Sequence, residues 1–323
     1  MHVLVTGGAG YIGSVIAARL LARGHAVTVY DDLSRGHRAA VAAGASLVNG
    51  DIRDQSHVQR ALRDGRCDAI VHMAALAEVG ESVQHPERYL DVNVNGSAAV
   101  IAAAKAAAVG RLVFSSTAAV YGAPERVPIE EEDELAPTNP YGAGKLAGER
   151  LLEQARDAGD LAFTALRYFN ACGADGACGE DHDPETHLIP LALSAARDGA
   201  ALRVFGADYP TPDGTCVRDY VHVADLSDAH VLALEALPAV QGAFNLGTGR
   251  GESVKRVLDA VTGVTGLELR REPAGRRAGD PPALVASGRR AEERLGWRPR
   301  HGLEDAVRDA WTWMQAHPHG YAD

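Results

Sequence analysis

Cysteine and long apolar runs are scarce in this sequence. Its 323 residues include four cysteines, and none of them forms a CxxC pair: Cys67, Cys172, Cys178 and Cys216. This excludes a disulfide scaffold and the usual zinc-binding modules. No apolar run reaches the ~18 residues of a membrane span, and the N-terminus lacks a secretory signal. We therefore expect free thiols in a cytoplasmic protein, with no membrane partner and no metal site.

Basic residues are outnumbered as well. The chain has 32 lysines and arginines against 43 acidic residues, which gives a net charge of −11. This balance argues against a nucleic-acid partner, because such proteins present a basic surface. An acidic protein that binds an anionic ligand must gather individual arginines around it, so particular arginines matter more than the net charge.

The first half of the chain alternates apolar strands with helical segments. Residues 2–6 and 26–30 are apolar runs, and residues 11–23 between them have helical periodicity, which predicts a strand–helix–strand unit. Further buried strands are predicted at 46–48, 69–72, 111–115 and 162–168, and Ala-rich helices at 94–108 and 143–156. The alternation predicts an α/β fold with a Rossmann-type, doubly wound parallel sheet covered by helices on both faces.

The pattern becomes irregular after residue 168. Three segments rich in Gly, Pro or Asp are predicted loops: 171–184, 206–214 and 270–282. Three segments are predicted to return to the sheet: 220–223, a helix to about 237, and 243–246. A last helix is predicted at 303–317. We expect two interleaved domains, a larger one of residues 1–168 plus about 219–247 and a smaller one of about 169–218 and 248–323.

Three glycines follow the first strand at a spacing suited to a dinucleotide. Gly7 permits a tight turn, Gly10 lets the backbone approach a pyrophosphate, and Gly13 allows close packing of helix and strand. The N-terminus of the next helix offers free N–H groups to phosphates. Asp31 ends the second strand, where a carboxylate binds a ribose and repels a 2′-phosphate. Arg35 is a counter-indication, but two acidic residues precede it, and NAD is the expected cofactor.

A Tyr-x-x-x-Lys pair supplies acid–base chemistry. Tyr141 and Lys145 are four residues apart, so on a helix they share one face. The ammonium is expected to stabilise the phenolate and lower the tyrosine pKa toward neutrality. Residues 115–117 are Ser-Ser-Thr at the end of a predicted strand, where a hydroxyl can bridge the tyrosine and a substrate oxygen.

Motifs along nearly the whole chain resemble the UDP-glucose 4-epimerases of the extended short-chain dehydrogenase/reductase family. The matching segments are VTGGAGYIGS, DDLSRG, GDIRD, HMAALAEVGESV, VNVNG, FSSTAAVYG, NPYGAGK, LRYFN, DYPTPDGTCVRDYVHV, FNLGTG and RRAGDPP. Residues 208–223 are the most specific of these, because this segment is long and unusual in composition.

The resemblance implies roles for individual residues. Tyr141 is expected to be the catalytic base, with Lys145 as its partner and Thr117 beside the sugar O4′. Cofactor-binding residues are expected to be Gly7, Gly10, Tyr11, Ile12, Gly13, Asp31, Ser34, Asp51, Ile52, Met73, Ala74, Ala75, Asn93, Tyr141, Lys145 and Tyr168. Substrate-binding residues are expected to be Thr117, Tyr141, Asn170, His187, Leu188, Phe205, Arg218, Tyr220, Arg277, Asp280 and Leu284. From the residues alone, Asp51 is equally suited to cap a helix.

The implied activity is interconversion of UDP-glucose and UDP-galactose through a 4-keto sugar. The alternatives are a 4-epimerase of another UDP-sugar (UDP-xylose or arabinose, UDP-glucuronate, UDP-N-acetylglucosamine) or an NAD-binding relative without turnover. A 4,6-dehydratase is disfavoured, because Ala118 and Ala119 occupy the positions of its acid–base pair. The resemblance also implies a homodimer formed through the helices at 94–108 and 143–156, and it places Leu284 beside the sugar C2′ substituent.

Overall fold

The chain folds around one large sheet and two small ones. The computed structural model describes residues 1–277 and 280–322. Its strands are β1 (His2–Thr6), β2 (Ala26–Asp31), β3 (Ser46–Asn49), β4 (Ala69–His72), β5 (Arg111–Thr117), β6 (Ala162–Tyr168), β7 (Asn170–Cys172), β8 (Ala201–Phe205), β9 (Val217–His222), β10 (Gly242–Leu246), β11 (Gly251–Ser253), β12 (Arg270–Ala274) and β13 (Ala283–Leu284).

Helices connect most of these strands. They are α1 (Tyr11–Ala22), α2 (Gln55–Asp64), α3 (Val79–Gln84), α4 (Pro86–Tyr89), α5 (Gly96–Ala106), α6 (Pro140–Asp157), α7 (Leu188–Asp198), α8 (Val223–Ala236), α9 (Val254–Thr265), α10 (Arg289–Leu295) and α11 (Leu303–Ala316). The helix predicted at 94–108 therefore begins later, at Gly96, because a π-helical turn from Leu90 to Asn95 precedes it.

The large sheet has the predicted Rossmann-type topology. Within the described residues it contains seven strands in the order β10-β6-β5-β4-β1-β2-β3, and every neighbouring pair is parallel. The strand order reverses between β1 and β4. In doubly wound sheets, a crevice opens at this point beyond the carboxyl ends of the strands.

Helices cover both faces of this sheet, as the alternating pattern predicts. Its central strands are almost fully buried, so they read as continuous apolar runs. α1 and α8 pack on one face around Ile16, Leu20 and Leu234. α2, α5 and α6 pack on the other around Leu62, Val100 and Leu152. The sheet is thus a rigid base for the loops that follow β1, β4 and β5.

The two small sheets correct three of the predictions. Residues 220–223 do not return to the large sheet, because β9 pairs with β7, β11 and β13 in a separate sheet. The predicted loop at 270–282 begins with β12, which pairs with β8 in a two-stranded sheet. The predicted loop at 171–184 likewise starts inside β7. These strands are short and polar, and their partners are far away in sequence, so local pattern does not reveal them.

The structure bears on the expectations for the cysteines and for membrane-spanning segments. All four cysteines are buried free thiols, as expected. Across residues 1–277 and 280–322, no helix has both the length and the apolar character needed to cross a membrane.

Candidate functional site

A cavity of about 790 Å³ opens where the strand order reverses. Its wall contains 21 of the residues expected at the site: Gly7, Gly10, Tyr11, Ile12, Gly13, Asp31, Ser34, Asp51, Ile52, Met73, Ala74, Ala75, Thr117, Tyr141, Lys145, Tyr168, Asn170, His187, Arg218, Asp280 and Leu284. The cavity therefore joins the end of the glycine-rich turn to the segments around β9 and β13.

The glycine-rich turn has no room for a side chain at Gly7 or at Gly13. Gly7 has a φ of +69°, and a Cβ on it would lie 2.6 Å from the backbone nitrogen of Ala74. A Cβ on Gly13 would overlap the carbonyl oxygen of Gly7, so α1 could not approach β1 as it does. Gly10 faces more open space and lines the cavity. The N-terminus of α1 consequently points its free N–H groups into the cavity, which suits a pyrophosphate.

Asp31 lies at the carboxyl end of β2, with its side chain buried. Its carboxylate accepts hydrogen bonds from the backbone N–H of Ala9 at 3.0 Å and of Leu33 at 2.9 Å. Burial raises the pKa of Asp31, although the two N–H donors favour the ionised form. Arg35 donates to the carbonyl of Asp183 at 2.5 Å and lies 3.6 Å from Glu81. The guanidinium of Arg35 is thus already engaged by two oxygen acceptors, which suits NAD better than the 2′-phosphate of NADP.

The contacts of Asp51 decide whether this residue caps a helix. Asp51 does not cap α2. The cap is Asp54, whose carboxylate accepts from the backbone N–H of His57. Asp51 instead pairs with Arg53, whose guanidinium lowers the pKa of the carboxyl. Asn93 is outside the cavity wall, and its amide both donates to and accepts from the backbone of Leu76 at 2.9 Å. Asn93 therefore fixes the backbone of the segment that follows β4.

Helix α6 carries the Tyr-x-x-x-Lys pair into the cavity. The side chain of Asn139 caps the helix by accepting from Gly142 at 2.8 Å. One turn into the helix, the ammonium of Lys145 donates to the carbonyl of Ser115 at 2.8 Å. Ser115 also hydrogen-bonds the hydroxyl of Tyr168. The end of β5 and the start of α6 thus bring the three expected catalytic side chains to one wall of the cavity.

The pKa of Tyr141 differs from expectation. The sequence predicts a lowered value, but burial raises it, and a hydrogen bond with Thr117 only partly offsets that effect. Burial also lowers the pKa of Lys145 to about 7, because an enclosed ammonium loses its hydration. Burial therefore makes the lysine lose its proton more readily than a free lysine does, and it favours the protonated form of the phenol.

Five expected residues lie outside the cavity wall. Apart from Asn93, they are Leu188, Phe205, Tyr220 and Arg277. Leu188 and Tyr220 pack against the core formed by α7, α9 and α11. Arg277 stacks on Phe205, with 4.1 Å from the guanidinium carbon to the ring centre. Arg218 does line the cavity, and it donates to the carbonyls of Val217 and Pro281.

The sequence analysis missed a group of charged residues on the opposite wall. Glu180 and His182 line the cavity beside His187, and Glu185 is close to both histidines. Burial is the largest single effect on the pKa of His187 and lowers it, but the charges and hydrogen bonds of Glu180 and Glu185 together outweigh burial and raise the pKa of the imidazole. The alternation Glu-x-His and Glu-x-His in residues 180–187 was the available signal.

Comparison with known proteins gives a consistent result. Residues 3–247 match the NAD dependent epimerase/dehydratase family. A UDP-glucose 4-epimerase of Streptomyces lividans is 50% identical over 324 residues, 99% of this chain and 98% of the relative. A UDP-glucose 4-epimerase from Brucella ovis, solved with NAD, is 46% identical with a TM-score of 0.93, covering 96% and 97% of the two chains. One from Bifidobacterium longum, solved with NAD⁺ and UDP, is 34% identical with a TM-score of 0.94, covering 99% and 100%.

Proposed function

The chain belongs to the NAD dependent epimerase/dehydratase family, and from that membership we propose that it is a UDP-glucose 4-epimerase. It interconverts UDP-glucose and UDP-galactose by NAD-dependent oxidation and re-reduction at C4′ through a 4-keto intermediate. The observation that carries this proposal is the convergence of Thr117, Tyr141 and Lys145 in the same cavity as the glycine-rich turn and Asp31.

The chemistry divides among a few side chains. When bound, NAD⁺ accepts the hydride from the sugar C4′, and its reduced form returns the hydride to the same carbon. Tyr141 takes the proton of the C4′ hydroxyl and later returns it, because its phenol is the acid–base group on that wall. Thr117 hydrogen-bonds Tyr141 and so orients the phenol for transfer of the proton. Lys145 is held in place by its hydrogen bond to the carbonyl of Ser115. When the lysine is charged, it stabilises the phenolate of Tyr141.

Anchoring falls to the other end of the cavity. Arg218 offers a guanidinium to the diphosphate, with its position set by the carbonyls of Val217 and Pro281. Asn170, His187 and Asp280 line the same region. A sugar held mainly through its nucleotide can turn over between oxidation and reduction, which an epimerase requires.

We propose a division of the chain along these lines. Residues 1–168 and about 219–247 bind NAD, and residues 169–218 and 248–323 bind the UDP-sugar. Because β9 belongs to a small sheet, the second NAD-binding segment is best begun at Val223, where α8 starts.

The function is tested by offering UDP-glucose, UDP-galactose, UDP-xylose and UDP-glucuronate side by side, with deuterium at C4′ of the first. We expect UDP-glucose and UDP-galactose to interconvert fastest and the product to keep its deuterium, since the hydride never meets solvent. Preferred turnover of another UDP-sugar contradicts the substrate assignment. Label that washes into water contradicts the mechanism.

The protein should purify with NAD already bound. The segment containing Asp183 and Thr186 is tied to two residues of the cavity wall, because Arg35 donates to the carbonyl of Asp183 at 2.5 Å and Thr186 donates to Glu78 at 2.7 Å. A cofactor that is regenerated in each cycle has no need to leave. Acid release followed by chromatography should yield NAD in amounts close to the chain concentration. A dialysed enzyme that is inert until NAD is added, or that works equally well with NADP, contradicts this prediction.

Leu284 is expected to limit the size of the sugar. It lies on β13 beside Arg218 of β9, lines the cavity and is only partly exposed. An N-acetyl group beside it overpacks the pocket by ~1–3 kcal/mol, which corresponds to roughly 10–200-fold in kcat/KM. We expect UDP-N-acetylglucosamine to be a poor substrate that improves relative to UDP-glucose in Leu284→Ser. Equal kcat/KM values in the parent, or an unchanged ratio in the variant, would show that Leu284 sets no limit.

A homodimer is the proposed assembly. α5 and α6 pack side by side, and small apolar residues such as Ala98 and Ala102 remain partly exposed on them. A second copy of this pair could bury that surface in a four-helix bundle. Light scattering at micromolar concentration should give twice the 33.9 kDa of one chain. A monomer under these conditions would contradict the prediction and would mean that α5 and α6 only cover the sheet.

A further inference from the structure

Two histidines and two glutamates crowd together at one wall of the cavity. Glu180, His182, Glu185 and His187 each direct one possible ligand atom to a common point, and these four atoms lie within 4.8 Å of one another. The carboxylate oxygen Oε1 of Glu180 is 2.6 Å from Nδ1 of His187 and 3.2 Å from Nδ1 of His182. One oxygen thus faces two imidazole nitrogens at the same time.

The contacts leave one of these nitrogens without a hydrogen bond. Nδ1 of His182 is buried and has no hydrogen-bond partner, although it is within ion-pair distance of Glu180. The distance of 3.2 Å from this nitrogen to Glu180 is short enough for a hydrogen bond, but the orientation of the imidazole ring does not allow one. A buried ring nitrogen in this condition is costly, and an atom placed at the centre of the cluster would satisfy it.

We propose that these four side chains form a binding site for Zn²⁺. Bond lengths of 2.0–2.2 Å to nitrogen and oxygen imply separations of about 3.3–3.6 Å between tetrahedral ligands. The nitrogen–oxygen contacts between these histidines and glutamates measure 2.6, 3.2, 3.2 and 4.0 Å, and the two contacts of Glu185 use different oxygens of its carboxylate. Because the four ligand atoms lie within 4.8 Å of one another, binding would require the side chains to close around the ion.

The ligand set selects the metal. Imidazole nitrogens suit Zn²⁺ and its transition-metal neighbours, whereas Mg²⁺ and Ca²⁺ prefer sites made wholly of oxygen atoms. Two carboxylates would balance the charge of the ion. All four ligands lie within an eight-residue segment between β7 and α7, so the site needs no contribution from the large sheet.

Zinc at this site would compete with the nucleotide sugar. His187 is one of the proposed substrate contacts, and coordination through Nδ1 would withdraw it from the cavity. This step rests on the proposed function. We therefore expect zinc to raise the KM for UDP-glucose without a matching change in kcat.

Binding can be measured without turnover. Tag-free protein that has been stripped with a chelator is dialysed against buffered Zn²⁺, and bound metal is counted by mass spectrometry. We expect about one ion per chain. His182→Asn and Glu185→Gln should weaken affinity by at least the ~10–100-fold that loss of an outer-shell partner costs. His319→Asn, at an exposed histidine outside the cluster, is the matched control and should bind as the parent does.

The possible outcomes test the zinc site, the competition with the substrate and the proposed function separately. Failure of the parent to take up zinc stoichiometrically, or parental affinity in both cluster variants, overturns the site. Stoichiometric zinc with an unchanged KM overturns the competition and leaves the site standing. An enzyme that turns over no UDP-sugar, with or without zinc, overturns the proposed function alone, because the dialysis result does not depend on it.

Discussion

Tyr141→Phe should reduce kcat by ~10²–10⁴-fold while leaving NAD bound, because a positioned acid–base group contributes a factor of that size. The loss corresponds to about 3–5 kcal/mol of transition-state stabilisation. The variant removes only the phenol oxygen, so the ring still fills its place on the cavity wall. Single-turnover rates and the bound nucleotide spectrum should be measured on the same preparation.

Tyr121→Phe is the matched control. The hydroxyl of Tyr121 is also buried, and it donates to Asn245 at 2.7 Å and accepts from Arg167, but it is outside the cavity wall. Its loss should cost stability and leave kcat within a few-fold of the parent. Near-normal turnover in Tyr141→Phe, or equal losses in the two variants, would remove Tyr141 from the acid–base role.

The large sheet was predictable because its signals are local. Buried parallel strands are continuous apolar runs, and Gly7 and Gly13 mark the turn between β1 and α1 directly in the sequence. Since the carboxyl ends of such strands meet at one edge, the positions of Asp31 and Thr117 at the ends of predicted strands were enough to expect both residues at one cavity.

The small sheets and the cluster at 180–187 were not predictable in the same way. β12 pairs with β8 across roughly 70 residues, and its sequence contains two arginines and a proline, so composition indicates a loop. Glu180 and His187 meet through the path of an irregular segment, which no periodicity describes. The raised pKa of Tyr141 was missed for a related reason, because the degree of burial depends on the packed structure and not on the spacing to Lys145.

Behind helix α6 lies a buried ion pair that does not reach the cavity wall. Glu149 of α6 and Arg167 of β6 have side chains that are only 3% and 5% exposed. The guanidinium donates twice to the carboxylate, at 2.9 and 2.6 Å, and Ser116 donates to the same carboxylate. This network joins the helix that carries Tyr141 to the two central strands beneath it.

Glu149→Ala should therefore destabilise the protein by about 3–5 kcal/mol, because it leaves the guanidinium of Arg167 buried without a counter-charge. Glu153→Ala is the matched control one turn further along α6. It removes a pair with Arg150 at 2.7 Å whose side chains are 36% and 57% exposed, and such surface pairs contribute at most ~1 kcal/mol. Urea unfolding of both variants, each saturated with NAD, measures the difference. Equal shifts would mean that the hydrogen bonds from Arg167 to Tyr121 and to the carbonyl of Glu131 suffice to solvate the guanidinium, and that the ion pair does not anchor the catalytic helix.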